Sequence, residues 1–175
     1  KQLMTLEFYK NGKLLRNKIK NHPRYPYHLL REEMQEFILD KLQLLIERKL
    51  IKGMGENGTD YTVIAQILDL PKEILRLIQK FDFTKKNPKL IYINTGETMI
   101  SLQDSILVTF LNLAGFDILF FVPTGYQSVE NYFAEKLMEE HQIGEYKYDM
   151  QVPDLNNIST NSTRPSWRRK LFRRG

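Results

Sequence analysis

Residues 90–127, LIYINTGETMISLQDSILVTFLNLAGFDILFFVPTGYQ, set two apolar runs and a helix-like stretch between two small polar loops. Leu90–Ile93 is a short, continuous apolar run rich in β-branched and aromatic residues, which predicts a buried strand. Ser101–Ala114 predicts a helix, and Asp117–Val122 predicts a second buried strand. Ser101-Leu102-Gln103-Asp104 has the form of a capping box, so the helix is expected to begin at Ser101. Strands joined through a helix run parallel. The loops Asn94-Thr95-Gly96-Glu97-Thr98 and Pro123-Thr124-Gly125-Tyr126-Gln127 would then leave the carboxyl ends of neighbouring strands, where open α/β sheets bind ligands.

Beyond the second loop, Ser128–His141 reads as another helix, with Gly115 and Gly144 at expected helix C-termini. Glu145–Val152 alternates polar and apolar residues, the pattern of a half-exposed strand. The expected fold class is therefore α/β: a Rossmann-like β-α-β-α-β half with a parallel sheet, preceded by a mainly helical segment. Four parts follow: a basic arm or hairpin over 1–28, a helical segment over 29–88, the Rossmann-like unit over 89–152, and a polar, then basic tail over 153–175. Within the first, Asn11-Gly12 suits a type I′ turn, and Arg16–Tyr27 reads as a loop. Within the second, Leu29–Leu50 carries apolar residues at helical spacing and charges that suit the macrodipole, with Gly53 as its stop. Tyr61–Leu68 and Pro71–Phe81 read as two short helices after the glycine-containing loop Gly53–Gly58.

The 175 residues suit one domain, or one domain with an appendage, and 42% apolar against 27% charged residues is the balance of an ordinary globular chain. With no cysteine, disulfides, thiolate metal sites and cysteine nucleophiles are excluded, and a cytoplasmic setting fits. No apolar run approaches membrane-spanning length. The first residue is Lys, which points to a piece of a longer polypeptide. The net charge of +5 is unevenly divided: residues 1–28 carry +6, 164–175 carry +6, and 29–163 carry −7. An acidic body with two basic ends is not a uniform nucleic-acid surface.

For chemistry, Asn94, Thr95, Gly96, Thr98 and Ser101, with Thr124, Gly125 and Tyr126, are the candidate ligand-binding residues. Small hydroxyls, glycine and a helix N-terminus make a phosphate or anion cradle. Glu97 and Asp104 oppose a bare phosphate but suit ribose hydroxyls, an amine, or a divalent cation held with a nucleotide or phosphate ligand, and they are the candidates for acid/base work. The same composition also fits capping and turn formation alone. Neither loop matches a dinucleotide or Walker-type phosphate motif, no metal-ligand set is read, and His22, His28 and His141 are scattered. Tyr61–Phe81 has a helix-turn-helix layout with Lys72, Arg76 and Lys80 on one face, yet the acidic body makes nucleic acid the weaker reading. In the tail, Arg168, Arg169, Lys170, Arg173 and Arg174 are candidate partner-binding residues, for an anionic surface, an acidic partner or RNA, or for the acidic body of the same chain.

The run NPKLIYINTGETMISLQDSILVTFLNLAGFDILFFVPTGYQSVENYF, with ILRLIQKFDFTK before it and SWRRKLFRRG at the end, resembles the YceG-like bacterial proteins over about residues 60–175. The resemblance implies a cytoplasmic component of a biosynthetic module associated with tellurite-resistance and stress genes, acting beside metabolite-processing enzymes and other stress or tellurite-resistance proteins. The two loops alone point to a small phosphorylated or nucleotide-like metabolite as the ligand. The resemblance supplies no active-site residues. The alternative is a non-enzymatic interaction module built on the tail and the helices over 61–81.

Overall fold

The structure, a computed structural model, describes residues 6–80, 87–96, 100–126 and 129–152. It opens with a hairpin of β1 (Tyr9–Lys10) and β2 (Lys13–Leu14), antiparallel, turned by Asn11 and Gly12 at φ 51° and 79°. Two successive left-handed residues are what a type I′ turn requires. Gln43 fastens this hairpin to the next helix layer, accepting from the Leu14 N–H at 2.9 Å and donating to the Gly12 carbonyl at 3.1 Å.

Residues 16–27, expected to be a loop, contain the short helix α1 (Arg16–Lys20). Its cause is tertiary. Ile19 is wholly buried, while Arg16 pairs with Glu36 and Asp40 at 2.9 and 2.6 Å and Lys20 pairs with Glu32 and Glu36. Basic residues one turn apart thus meet acids one turn apart on α2 (Glu32–Arg48). Along α2 the apolar stripe Ile38, Leu39, Leu42, Leu45 and Ile46 is buried. It stops at Lys49, which takes the left-handed cap position at φ 50°, four residues before the glycine expected there.

Helices α3 (Thr59–Ile67) and α4 (Lys72–Lys80) follow. Tyr27, 1% exposed, ties the first of them off: its hydroxyl donates to the Ile67 carbonyl and accepts from the Leu70 N–H. The remaining elements are β3 (Lys89–Ile93), α5 (Leu102–Leu113) and β4 (Asp117–Phe121). β3 and β4 are parallel, in a register running from Lys89 opposite Asp117 to Ile93 opposite Phe121. Helix α5 packs on α2 and α3, burying Ile106, Val108, Phe110 and Leu111. It also buries Ser105 and Thr109, whose hydroxyls donate to the carbonyls of Ser101 and Ser105. Gly115, φ 100°, ends it as expected, with Phe116 N–H reaching back to the Leu111 carbonyl.

Among the described residues the fold is thus a mixed helix and sheet structure with one small antiparallel and one small parallel sheet. The β-α-β core of the expected unit is present, but its second half is not regular among the described residues. Where a helix was expected over 128–141, Val129–Tyr132 is a turn and Phe133 bridges Ile51. The Lys52 N–H donates to the Tyr132 carbonyl and the Ala134 N–H to the Leu50 carbonyl, both at 2.9 Å, so backbone pairing across the chain overrides the local helical pattern. Residues 145–152 form no strand, and Tyr146, Tyr148, Met150 and Val152 are exposed.

Candidate functional site

The loops after β3 and β4 leave the same edge of a parallel pair. The Asn94 N–H donates to the Phe121 carbonyl at 3.0 Å, carrying the ladder one residue past β3 and holding the bases of both loops together. On the β3 side, the Asn94 side chain accepts from the Gly96 N–H at 3.2 Å, an Asx turn. Thr95 is half-buried and Gly96 exposed, and Glu97 and Thr98 lie outside the described residues.

Ser101 caps α5 as its spacing suggests. Its hydroxyl accepts from the Asp104 N–H at 3.0 Å and donates to the Asp104 carboxylate at 2.6 Å. The same carboxylate is hydrogen-bonded to Tyr92, the inward-facing aromatic of β3, whose phenol is pushed up first by burial and then by Asp104. Tyr92, Ser101 and Asp104 therefore form one polar cluster at the amino end of α5. A carboxylate with two hydroxyl neighbours can accept further from a ligand hydroxyl or amine. It repels an unscreened phosphate that the helix N-terminus would otherwise attract.

On the β4 side, Thr124 is 8% exposed and its hydroxyl accepts from the Tyr126 N–H at 3.3 Å. Gly125 has φ 68°, and a Cβ there would lie 2.0 Å from the Tyr146 ring. The Lys147 N–H donates to the Pro123 carbonyl at 2.8 Å, so the segment around Tyr146 lies over this loop. Gly125 is thus required by a ring against its own backbone, while Tyr126, 53% exposed, stands open. Glu130 shortly follows, with a carboxylate oxygen shielded from solvent and without a hydrogen-bond partner among the described residues. Neither the Tyr92–Asp104 bond nor Glu130 was read from sequence, since each depends on contacts between distant segments. The tail residues Arg168, Arg169, Lys170, Arg173 and Arg174 lie outside the described residues.

The spacing within the glycine-containing loop Gly53–Gly58 also went unread. Gly53-Met54-Gly55-Glu56-Asn57-Gly58 matches G-x-G-x-x-G and leads into α3, with all three glycines at positive φ. Its structural context differs from a dinucleotide site. Ile51 before it makes one antiparallel bridge in place of a parallel strand. The Gly55 N–H donates at 2.7 Å to Asp60, 5% exposed, which also accepts from the Tyr9 hydroxyl at 3.4 Å. The protein's own carboxylate fills the place a phosphate would take. Among the described residues, no three His, Asp or Glu side chains come together as a metal set, and no helix is long and apolar enough to cross a membrane.

The YceG domain family matches residues 2–163. The chain belongs to that family. The match begins well before residue 60, where the resemblance starts in the sequence, and takes in the hairpin and α1 to α4. Among individual proteins, this YceG-family chain is 31% identical over 93 residues to the uncharacterized protein YceG of Bacillus subtilis (strain 168). That stretch is 51% of this chain and 17% of the relative, so the chain corresponds to a minor part of the curated protein's length. No solved structure matches.

Proposed function

We propose that this YceG-family chain is the ligand-binding α/β part of a bacterial protein in a biosynthetic module, taking a phosphorylated or nucleotide-like metabolite at the carboxyl edge of β3 and β4. The observation that carries the reading is the parallel pairing itself, with the Asn94–Phe121 hydrogen bond joining the bases of two small polar loops beside the capped start of α5. Asp104 then receives ligand hydroxyls, Thr124 and the Asn94–Gly96 turn contact the polar head, and Tyr126 stacks on a ring. Because Asp104 opposes a bare phosphate, a divalent cation travels with the ligand. The setting is the cytoplasm, beside stress and tellurite-resistance partners.

A thermal-shift panel of nucleotides and sugar phosphates, with and without magnesium, tests this. A ligand at 100 times its Kd adds about 2.7 kcal/mol of stability. The shift is expected to need magnesium and to fall with Asp104→Asn and Thr124→Val. A flat response across the panel, from a full-length family member as well as from this chain, sinks the reading.

A second reading, an interaction module, is favoured by the bare apolar face of the sheet and by Lys72, Arg76 and Lys80, all exposed on α4. It predicts retained partners with no small-molecule shift. Nucleic-acid binding, the weaker form of it, predicts a salt-dependent gel shift lost on replacing those three residues.

A further inference from the structure

The β3–β4 pair has two unlike faces. Leu90, Tyr92, Ile118 and Phe120 are half-buried toward α5 and the core, while Ile91, Ile93, Leu119 and Phe121 turn outward, exposed by 59%, 37%, 57% and 46%. In the parallel register Ile91 lies opposite Leu119 and Ile93 opposite Phe121, so the four make one contiguous patch. After Lys89 and Asp117 both strands are apolar at every position, the pattern of burial on two sides and not of a sheet with a wet face.

Size decides what kind of occupant the patch can hold. Four half-exposed side chains of this kind present on the order of 400 Å² of apolar surface. A stable interface between separate molecules buries roughly 800 Å² on each partner. A second copy meeting through this patch alone falls well short. A segment tied to the sheet by its own chain does not need that area, because the connection raises its effective concentration.

Residues 153–175 follow Val152, and the stretch before them runs beside the carboxyl end of β4 through the Lys147–Pro123 hydrogen bond. Fifteen residues lead from Val152 to Trp167, an extended reach of up to roughly 50 Å against roughly 17 Å for a five-residue strand. The reach is ample. Residues 164–175 carry three large apolar side chains, Trp167, Leu171 and Phe172, among six Arg and Lys, for +6. Residues 87–152 carry three Lys, no Arg and nine Asp or Glu, for −6. Charge and hydrophobicity match together.

We propose that residues 164–175 cover the open β3–β4 face of their own chain, setting Trp167, Leu171 and Phe172 against Ile91, Ile93, Leu119 and Phe121. Their basic side chains then offset the acidic α/β unit. Trp167 is the one tryptophan, so its fluorescence reads the contact directly in the full chain. Emission at shorter wavelength than in denaturant is expected, with several-fold slower acrylamide quenching, both unchanged on dilution. Replacing Leu119→Ser together with Phe121→Ser returns both readings to their denatured values, with folding checked by far-UV circular dichroism. Leu119→Lys alone gives the same loss if the double variant does not fold. Leu77→Ser, which removes an exposed apolar side chain on α4, leaves both readings unchanged. Three results overturn the proposal: denaturant-like emission in the unaltered chain, protected emission that survives the Leu119 and Phe121 changes, or protection that disappears on dilution, which assigns the face to a second copy.

Discussion

Helix α2 and the β3–β4 pair are both rich in Ile and Leu, yet they use those residues differently. Ile38, Leu39, Leu42 and Leu45 are wholly buried among α5, α3 and the hairpin, whereas Ile91 and Leu119 stand more than half exposed. Burial energy follows apolar area removed from water, so the same residue type counts heavily in one region and little in the other. The largest effect should come from Leu42→Ala, about 2–5 kcal/mol of lost stability through the cavity it leaves. Leu119→Ala, on a face covered only by the proposed tail contact, should cost less, about 1 kcal/mol. Urea midpoints at constant slope measure both. Comparable losses at the two positions would break the contrast and place Leu119 in a core as complete as that of Leu42.

Hydrogen bonding repeats the contrast on a smaller scale. In the helical region the Tyr27 hydroxyl serves the Ile67 carbonyl and the Leu70 N–H in a buried setting. Tyr27→Phe strands two groups there and should cost about 1–3 kcal/mol. In the α/β region the Ser101 hydroxyl is exposed, and Ser101→Ala should cost about 1 kcal/mol, the ordinary value of a lost N-cap. The order of the two, read by the same denaturant series, matters more than either value. If Ser101→Ala proves the costlier, then its bond to Asp104 supports the Tyr92 cluster as well as the helix start.

How far each region was legible in the sequence follows the range of its causes. The Asn11-Gly12 turn, the stripe of α2, the cap at Ser101 and the glycine after α5 are local, and each stands where its residues indicate. Helix α1 was missed because Ile19 and the pairs of Arg16 and Lys20 depend on α2, which is remote in sequence. The expected helix over 128–141 failed for the same reason, since Leu50 and Lys52 claim the backbone around Phe133. At the candidate site, the positions of both loops were readable from strand-helix-strand order. The ring of Tyr146 on Gly125 and the phenol of Tyr92 on Asp104 were not, because no local pattern announces them.

The smallest effect concerns charge, where the helical region again has the denser arrangement. The Glu36 carboxyl is held below the usual range by the hydrogen bond from Lys20, and further by Arg16, against the opposing pull of burial. Its folded value lies below its unfolded one, so the stability it contributes is present above an unfolded pKa near roughly 4.3 and is lost as pH falls through the folded value. Lys20 is raised by Glu32 and Glu36, so its contribution is present below its unfolded pKa and is lost only at strongly basic pH. Glu36 is 38% exposed, and solvent screening holds the pair to about 1 kcal/mol or less. Urea midpoints from pH 7 down to pH 3 should show the unaltered chain more stable than Glu36→Gln at neutral pH, with the two curves converging in acid. On the α/β side, Asp117 is likewise lowered, by Lys89 and then Asn87, but both partners of that pair are exposed, and Asp117→Asn should leave the curve unchanged. If Glu36→Gln also runs parallel to the unaltered chain at every pH, the Glu36 pairs contribute nothing, and Ile19 with the Arg16–Asp40 and Lys20–Glu32 pairs holds that helix to α2.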